Sequence, residues 1–289
     1  MFLNLDNEID KKLSKLYSEE VINNMKNGIM EYLGVNISET PDEDIQLKIY
    51  YENNPSYKLY KESQSNDSLI EFLYEKNMIS FLETVYDKNN SQFNRYNVKI
   101  KNRYKNNMLE LFEFWEKNIK FYSQYKDEIL KLSQIKYSEN PDDEFASLFF
   151  FGVEKAESEI KKLKLYWIKH PEYEKQYLET LKSCGIDKLE KLIPLVNSVI
   201  ENCGGNIFMT GIDYNEKSAQ KHKIYLEYPA NLYEGLLTTF SYNKELIKKI
   251  KLIKNWHEIH QEFYCDIIGT GKDAKDNITL NFYFMLKKD

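Results

Sequence analysis

The segment FFFGVE at positions 149–154 leads through a polar turn into KLYW at 164–167, and FMTGID at 208–213 leads in the same way into KIYL at 223–226. Each copy is an apolar run, a glycine, a hydrophobic residue and an acid, followed by a second apolar run that contains Lys-x-Tyr. Two short apolar runs joined by a polar turn predict a β-hairpin. The chain therefore contains at least two copies of one hairpin, and an internal repeat of this kind indicates a fold built from repeated units.

Further copies of this hairpin can be followed along the rest of the chain. First strands are predicted near 32–38, at 79–87 and at 264–269, in addition to the two quoted above. The copies at Lys164 and Lys223 match each other well, and the second copy is the weakest match. We therefore predict five hairpins, and one residue marks the second strand of each: Lys48, Lys99, Lys164, Lys223 and Asn281.

Helical patterns lie between the predicted hairpins. Apolar residues recur at spacings of three and four over 68–86, 107–135, 173–181, 188–200 and 232–259, and the second stretch is long enough for two helices. Strands joined by short turns are antiparallel, and closing such a sheet removes its edges. We therefore predict an α+β fold, a ten-stranded antiparallel β-barrel surrounded by helices. It is built from five repeated αββα units and forms one domain over 1–289.

Composition and charge narrow the class of protein. The chain has 289 residues and a net charge of −6, which gives nucleic acid no global attraction. The longest apolar runs are too short to cross a bilayer, and the N-terminus does not resemble a signal peptide, so we expect a cytoplasmic protein with no membrane partner. Three scattered cysteines, Cys184, Cys203 and Cys265, have no metal-binding spacing, and no metal site is expected in the protein itself.

The Lys-x-Tyr pattern places both side chains on one face of its strand, because side chains alternate across a β-strand. Lys164 and Tyr166 share one face, and the apolar residues between and after them share the other. The apolar face would meet the helices, so the Lys/Tyr face would point into the barrel. One alternative is that these residues line the exposed face of an open sheet. Their recurrence on matched hairpins favours the barrel interior.

Ammonium and phenol groups collected in one cavity suggest a specific chemistry. Lysines crowded in a partly desolvated lumen repel one another and need an anion, for which a diphosphate is the natural candidate. Departure of diphosphate from an allylic carbon leaves a carbocation. Aromatic faces stabilise a cation by roughly 0.5 to 2 kcal/mol each, and they also exclude water that would quench it.

Hairpins that end in Lys-x-Tyr resemble those of the ABBA prenyltransferases, whose fold is also called the PT barrel. The resemblance spans nearly the whole chain, and the 149–154 segment is most similar to the cyanobactin-type peptide prenyltransferases. It implies that the diphosphate is held by Lys48, Lys164 and Lys223, with Lys99 or Lys101 as further candidates and the neutral Asn281 in the last repeat. It implies that the cation is shielded by Tyr166, Tyr225 and Tyr283, which Tyr50 joins.

An acid on the first hairpin would orient or deprotonate the acceptor in this family. No residue there is clearly matched; Glu31 is the candidate, with Glu83 on the second hairpin as another. Bacterial members often use Mg²⁺ with the prenyl diphosphate and other members need none, so the metal is left open. No organic cofactor is expected.

The predicted function is transfer of a dimethylallyl or geranyl group from its diphosphate to an aromatic or other nucleophilic side chain of a ribosomal peptide natural product. One alternative is a prenyltransferase for small indoles or phenols. Another is a non-enzymatic barrel that binds an anionic or lipid-like ligand, and a third is a scaffold without these repeats. Donor length, acceptor identity, regiochemistry and oligomeric state are left open by the sequence.

Overall fold

A computed structural model of the chain describes residues 30–41, 45–53, 68–87, 94–135, 138–156, 159–169, 174–183, 185–217 and 221–287. The strands are β1 Met30–Ser38, β2 Gln46–Asn53, β3 Ile79–Asp87, β4 Asn94–Ile100, β5 Leu148–Ala156, β6 Glu159–Ile168, β7 Asn206–Asn215, β8 His222–Glu227, β9 Phe263–Lys272 and β10 Ile278–Leu286. The helices within these ranges are α1 Ser68–Glu75, α2 Lys105–Asn118, α3 Lys126–Ser133, α4 Glu174–Ser183, α5 Asp187–Cys203, α6 Leu232–Thr239 and α7 Lys244–Ile259.

The ten strands form one antiparallel sheet in which each strand pairs with its neighbours in the sequence. The first strand also pairs with the last, with Gly34 opposite Tyr283 and Asn36 opposite Asn281, so the sheet closes on itself as a barrel. The prediction of ten antiparallel strands with helices is confirmed. Each of the five markers lies on the second strand of its hairpin, on β2, β4, β6, β8 and β10.

The hydrophobic core lies between the sheet and the helices. Alternate residues of the strands supply its inner side, for example Leu163, Leu165 and Trp167 of β6, which are fully buried. Burying a side chain of this size stabilises the fold by roughly 1.5 to 3 kcal/mol. Because successive side chains of a strand point to opposite faces of the sheet, the residues that separate these core residues in the sequence face the barrel interior.

The helix predicted over 68–86 is shorter than its apolar pattern suggested. Helix α1 ends at Glu75, and β3 begins at Ile79. Asn77 has a φ of 52°, and the amide of Met78 donates to the carbonyl of Leu73. These are the features of a helix end that reverses through a left-handed residue, where asparagine is tolerated. The second half of the pattern therefore belongs to β3, which confirms the strand predicted at 79–87.

The stretch 232–259 holds two helices where the pattern indicated one. Helix α6 ends at Thr239 and α7 starts at Lys244. The side chain of Asn243 accepts a hydrogen bond from the amide of Leu246 at 3.0 Å, which caps the second helix. Two helices also occupy 107–135, as predicted for that longer stretch.

Candidate functional site

The barrel interior carries the side chains that the sequence places on the Lys/Tyr face. Tyr166 is 7% exposed and Tyr225 is 2% exposed, although both point away from the outer core. They are buried by other rings of the lumen, as described below. The interior is therefore partly filled by phenols.

A glycine lies directly opposite the marker residue in four of the five hairpins. The pairs are Gly34 with Lys48, Gly152 with Lys164, Gly211 with Lys223 and Gly269 with Asn281. In the described hairpins these glycines leave room for side chains from neighbouring strands. A methyl group on Gly211 would lie 2.9 Å from the Tyr166 ring and 3.0 Å from the Tyr225 ring. Glycine is required there because the rings lie across the backbone.

The tyrosines from four hairpins form one continuous cluster. Ring centroids are 5.9 Å apart for Tyr166 and Tyr225, 6.1 Å for Tyr225 and Tyr283, and 5.6 Å for Tyr283 and Tyr50. Phe150 extends the row, 5.4 Å from Tyr166. All four predicted shield residues are therefore brought together in the lumen.

Tyr225 occupies the centre of this cluster. Burial raises its pKa well above the usual value, and the neighbouring Tyr283 and Tyr166 raise it further. The ring therefore stays a neutral phenol at any physiological pH. A row of neutral phenols is suited to cation stabilisation without becoming a nucleophile itself.

Lys164 is held between two carboxylates. Its ammonium lies 3.0 Å from Glu154 and 3.3 Å from Asp213, and Glu154 also contacts Lys162 at 2.7 Å. The sequence analysis predicted an anionic ligand for the crowded lysines, but it did not predict that Glu154 and Asp213 neutralise the charge of Lys164. The signal was present, because each acid follows its glycine by two residues and so shares its face.

Lys223 has different surroundings. Its ammonium donates to the side-chain oxygen of Asn281 at 2.9 Å, which joins two of the predicted diphosphate-binding residues. The residue opposite it on β9 is Gly271. Asn281 in turn lies opposite Asn36, whose side-chain oxygen is buried without a hydrogen-bond partner among the described residues. Asn281 and Asn36 therefore form a pair of neutral polar side chains beside Lys223.

The second hairpin follows the pattern at a position that the sequence did not single out. Lys48 lies opposite Asp87, and Lys164 lies opposite Asp213. The corresponding basic residue on β4 is Arg95, which lies opposite Glu154. By strand register, Arg95 therefore occupies on β4 the position that Lys48 occupies on β2 and Lys164 on β6.

The two basic residues predicted on this hairpin lie elsewhere. Lys99 is four residues further along β4, and its ammonium lies 4.8 Å above the ring of Phe149, which Arg103 also contacts. Lys101 follows the end of β4 and is exposed. The structure does not bring either residue to Lys164 or Lys223.

The two predicted acceptor-side acids can be placed only by their backbone. Glu31 lies in β1 where the pairing with β2 shifts between Met30 and Tyr32. Glu83 lies in β3, paired with Glu52 on one side and Asn97 on the other. Their side chains lie outside the described part of the chain, so their roles remain predictions.

A carboxylate that sequence reasoning missed lies on β9. The hydroxyl of Tyr32 donates to Asp266 at 3.4 Å, and the Tyr32 ring contacts Tyr283 at a centroid distance of 6.3 Å. Burial raises the pKa of Asp266, which the hydrogen bond from Tyr32 partly offsets. Its position depends on a local irregularity of β9, so no sequence pattern indicated it.

The described residues contain no cluster of three or more His, Cys, Asp or Glu side chains that could hold a metal ion. In the same part of the chain, each helix is too short or too polar to span a bilayer.

Comparison with known proteins identifies the fold but no close relative. No family model and no curated protein matches the sequence. The solved structure of NotF prenyltransferase matches with a TM-score of 0.63 and 10% sequence identity, over 99% of this chain and 91% of NotF. NotF in complex with brevianamide F and DMSPP matches with a TM-score of 0.62 and 11% identity, over 90% of this chain and 81% of NotF.

A bacterial enzyme has the same architecture. The 6-dimethylallyltryptophan synthase from Micromonospora olivasterospora, in complex with DMASPP and Trp, matches with a TM-score of 0.56 and 11% identity, over 88% of this chain and 81% of that one. These structural neighbours are ABBA-type aromatic prenyltransferases. At this level of identity the likeness establishes a shared fold, and function has to be argued from the site.

Proposed function

We propose that this protein is a prenyltransferase that moves a prenyl group from its diphosphate to an aromatic acceptor. The observation that carries the proposal is the row of buried tyrosine rings beside the lysines of the lumen. The solved structures that share the fold are prenyltransferases, two of them in complex with the donor analogues DMSPP and DMASPP. Fold and site therefore support the same reaction class.

The diphosphate would bind at Lys223, Asn281, Lys48 and Lys164. Cations placed around the leaving oxygen stabilise the negative charge that develops as the allylic C–O bond breaks. The electron pair of that bond leaves with the diphosphate. Lys164 would exchange part of its contact with Glu154 and Asp213 for the incoming phosphate oxygens.

The prenyl chain would lie against Tyr166, Tyr225, Tyr283 and Tyr50. Their rings contact one another without a break, so they can cover one side of an allylic cation. Stabilisation by each face is worth roughly 0.5 to 2 kcal/mol. The same rings exclude water, which would otherwise convert the cation to an alcohol.

A small indole or phenol is the acceptor class that we favour over the peptide side chain predicted first. The structural neighbours include complexes with Trp and with brevianamide F, which are small aromatic compounds. The cyanobactin-type resemblance of the 149–154 segment is the argument for a peptide acceptor, and it finds no further support here. Dimethylallyl is the donor group named in these complexes, so it is the first donor to test.

We also propose that the chain is one domain of five αββα units. The glycine opposite the marker in four of the five hairpins supports this interpretation. Magnesium, where it is used, would be bound to the diphosphate. Residual activity after chelation with EDTA would measure that contribution.

Mass spectrometry tests the proposed function. The protein would be incubated with dimethylallyl or geranyl diphosphate and with L-tryptophan, L-tyrosine, a cyclic Trp dipeptide and a linear Trp/Tyr peptide, and diphosphate release would be followed in parallel. We expect one prenyl mass on a small acceptor and acceptor-dependent release of diphosphate. Binding of the donor without release with any acceptor would instead favour the anion-binding barrel. Absence of both would refute the proposal.

A further inference from the structure

Asp266 places a carboxylate in the lumen next to the tyrosine cluster, apart from the lysines of the donor site. The Tyr32 hydroxyl donates to its Oδ2 atom at 3.4 Å. Tyr32 meets Tyr283 edge-on, with ring centroids 6.3 Å apart and planes at 88°. One side chain thus separates this carboxylate from the rings that would face the prenyl cation.

The direction of the Asp266 side chain results from a bulge in β9. Tyr283 of β10 lies opposite Ile267, but the next residue, Phe284, lies opposite Cys265. Asp266 is therefore the extra residue of this ladder. Regular alternation would have given it the same side as Ile268, which is fully buried in the outer core. Bulges re-aim single side chains, and they are common beside active sites.

The surroundings of Asp266 are aromatic, and the residue itself is partly exposed. Tyr264 lies close enough to Asp266 for the carboxylate to raise the pKa of the Tyr264 phenol, after the larger effect of burial. The amide of Tyr228 donates to the Asp266 carbonyl at 3.0 Å, and the Tyr228 side chain is 66% exposed. A partly exposed carboxylate bordered by phenol rings is suited to a flat ligand that has one polar hydrogen.

We propose that Asp266 is a catalytic carboxylate for the acceptor: it accepts a hydrogen bond from the ring N–H or O–H of the aromatic acceptor and takes that proton during transfer. This inference rests on the proposed function. It assigns the acceptor to the side of the tyrosine cluster away from Lys164, and it names the acceptor as an aromatic compound with an acidic N–H or O–H.

The proposed step is balanced in atoms and charge. A bond forms between the nucleophilic atom of the acceptor and C1 of the prenyl group while the bond from C1 to the diphosphate oxygen breaks. The diphosphate keeps the electron pair of the broken bond. The acceptor gains positive charge as it attacks and loses its N–H or O–H proton to Asp266, which later releases the proton to water. General base catalysis of this kind contributes roughly 10² to 10⁴ in rate.

Four variants test this role against a purely structural one. They are Asp266→Asn, Asp266→Glu, Tyr32→Phe and, as a control carboxylate in the exposed turn after β9, Asp276→Asn. Three quantities would be measured for each: prenyl transfer to the best acceptor of the panel above, diphosphate release without acceptor, and affinity for dimethylallyl S-thiolodiphosphate. The last two report on the donor site and do not require Asp266 as a base.

We expect Asp266→Asn to lose at least about 100-fold in transfer while donor affinity and acceptor-independent release stay within about twofold. Asp266→Glu should recover part of the loss, and Tyr32→Phe and Asp276→Asn should stay within about fivefold. Equal losses in Asp266→Asn and Tyr32→Phe, or a parallel loss of donor affinity, would mean that Asp266 only anchors Tyr32. A wild-type protein that neither binds the analogue nor releases diphosphate would refute the proposed function, and this inference with it.

Discussion

Two sides of the barrel differ in how their basic residues are matched across the strands. On the first three hairpins a basic residue lies opposite an acid of the next strand: Lys48 and Asp87, Arg95 and Glu154, Lys164 and Asp213. On the last two hairpins, Lys223 lies opposite Gly271 and Asn281 lies opposite Asn36. The Lys223 ammonium donates to the Asn281 side chain at 2.9 Å, so two predicted diphosphate-binding residues meet there, and we infer that the anionic donor is centred at this pair.

The strongest loss of activity is expected at Lys223, on the side formed by the last two hairpins. Lys223→Met removes a cation beside the leaving group and should reduce transfer by roughly 100-fold or more. Lys99→Met is the matched control, because its ammonium lies over the Phe149 ring, and it should stay within about threefold. Steady-state rates with saturating acceptor give both numbers. Similar losses in the two variants would contradict the placement of the diphosphate at Lys223.

A smaller effect is expected from the tyrosine cluster. Tyr225→Leu removes the central ring, and at roughly 0.5 to 2 kcal/mol the rate of transfer should fall by about 2- to 30-fold. The share of donor lost to water should rise as well. Tyr225→Phe keeps the ring and should leave both quantities nearly unchanged. The ratio of prenylated product to free prenyl alcohol measures this, and a large loss in Tyr225→Phe would mean that the hydroxyl, not the ring, matters.

The glycines opposite the markers allow a test with a single methyl group. Gly211→Ala would place a methyl 2.9 Å from Tyr166 and 3.0 Å from Tyr225, so both rings must move. We expect a loss of several-fold in transfer and about 1 to 3 kcal/mol in the free energy of unfolding. Ile212→Val on the opposite face should cost about 0.5 to 1.5 kcal/mol without changing the rate of the folded protein. Denaturant titrations and steady-state rates together show whether a change on the lumen face affects transfer while a change on the core face affects only stability.

The smallest expected effect on transfer comes from the outer face of β8. His222 is 1% exposed, and burial lowers its pKa to about 4. The unfolded chain binds this proton near pH 6.5 and the folded protein does not, so stability falls as pH drops from about 6.5 towards 4. Between pH 7 and 5, wild type should lose about 2 kcal/mol more than His222→Leu. Denaturant titrations at both pH values check this, and parallel losses would contradict it.

Much of the fold could be predicted because its signals are local. Alternation of apolar residues marked the ten strands, and the Lys-x-Tyr repeat assigned Lys164, Tyr166, Lys223 and Tyr225 to one interior face. The glycine and the acid before each turn were also visible. Their joint effect on Lys164 was missed because it depends on which strands are neighbours.

The rest could not be predicted because it depends on register. Lys99 and Arg95 are equally plausible basic residues in the sequence, and only the pairing of β4 with β5 selects Arg95. The Asp266 side chain points into the lumen because of a β-bulge, and no residue pattern in the sequence predicts that bulge. The strand at 79–87 was predicted from the sequence, but the helix end at Asn77 that separates it from α1 was not.

We infer that the donor binds inside the barrel, with its diphosphate at Lys223 and its prenyl chain on the tyrosines. A crystal structure with dimethylallyl S-thiolodiphosphate tests this most directly. We expect phosphate oxygens within hydrogen-bonding distance of the Lys223 ammonium and the Asn281 side chain, with the prenyl carbons against Tyr225 and Tyr283. A diphosphate bound at Lys99 and Arg103, or on the outer surface, would contradict it.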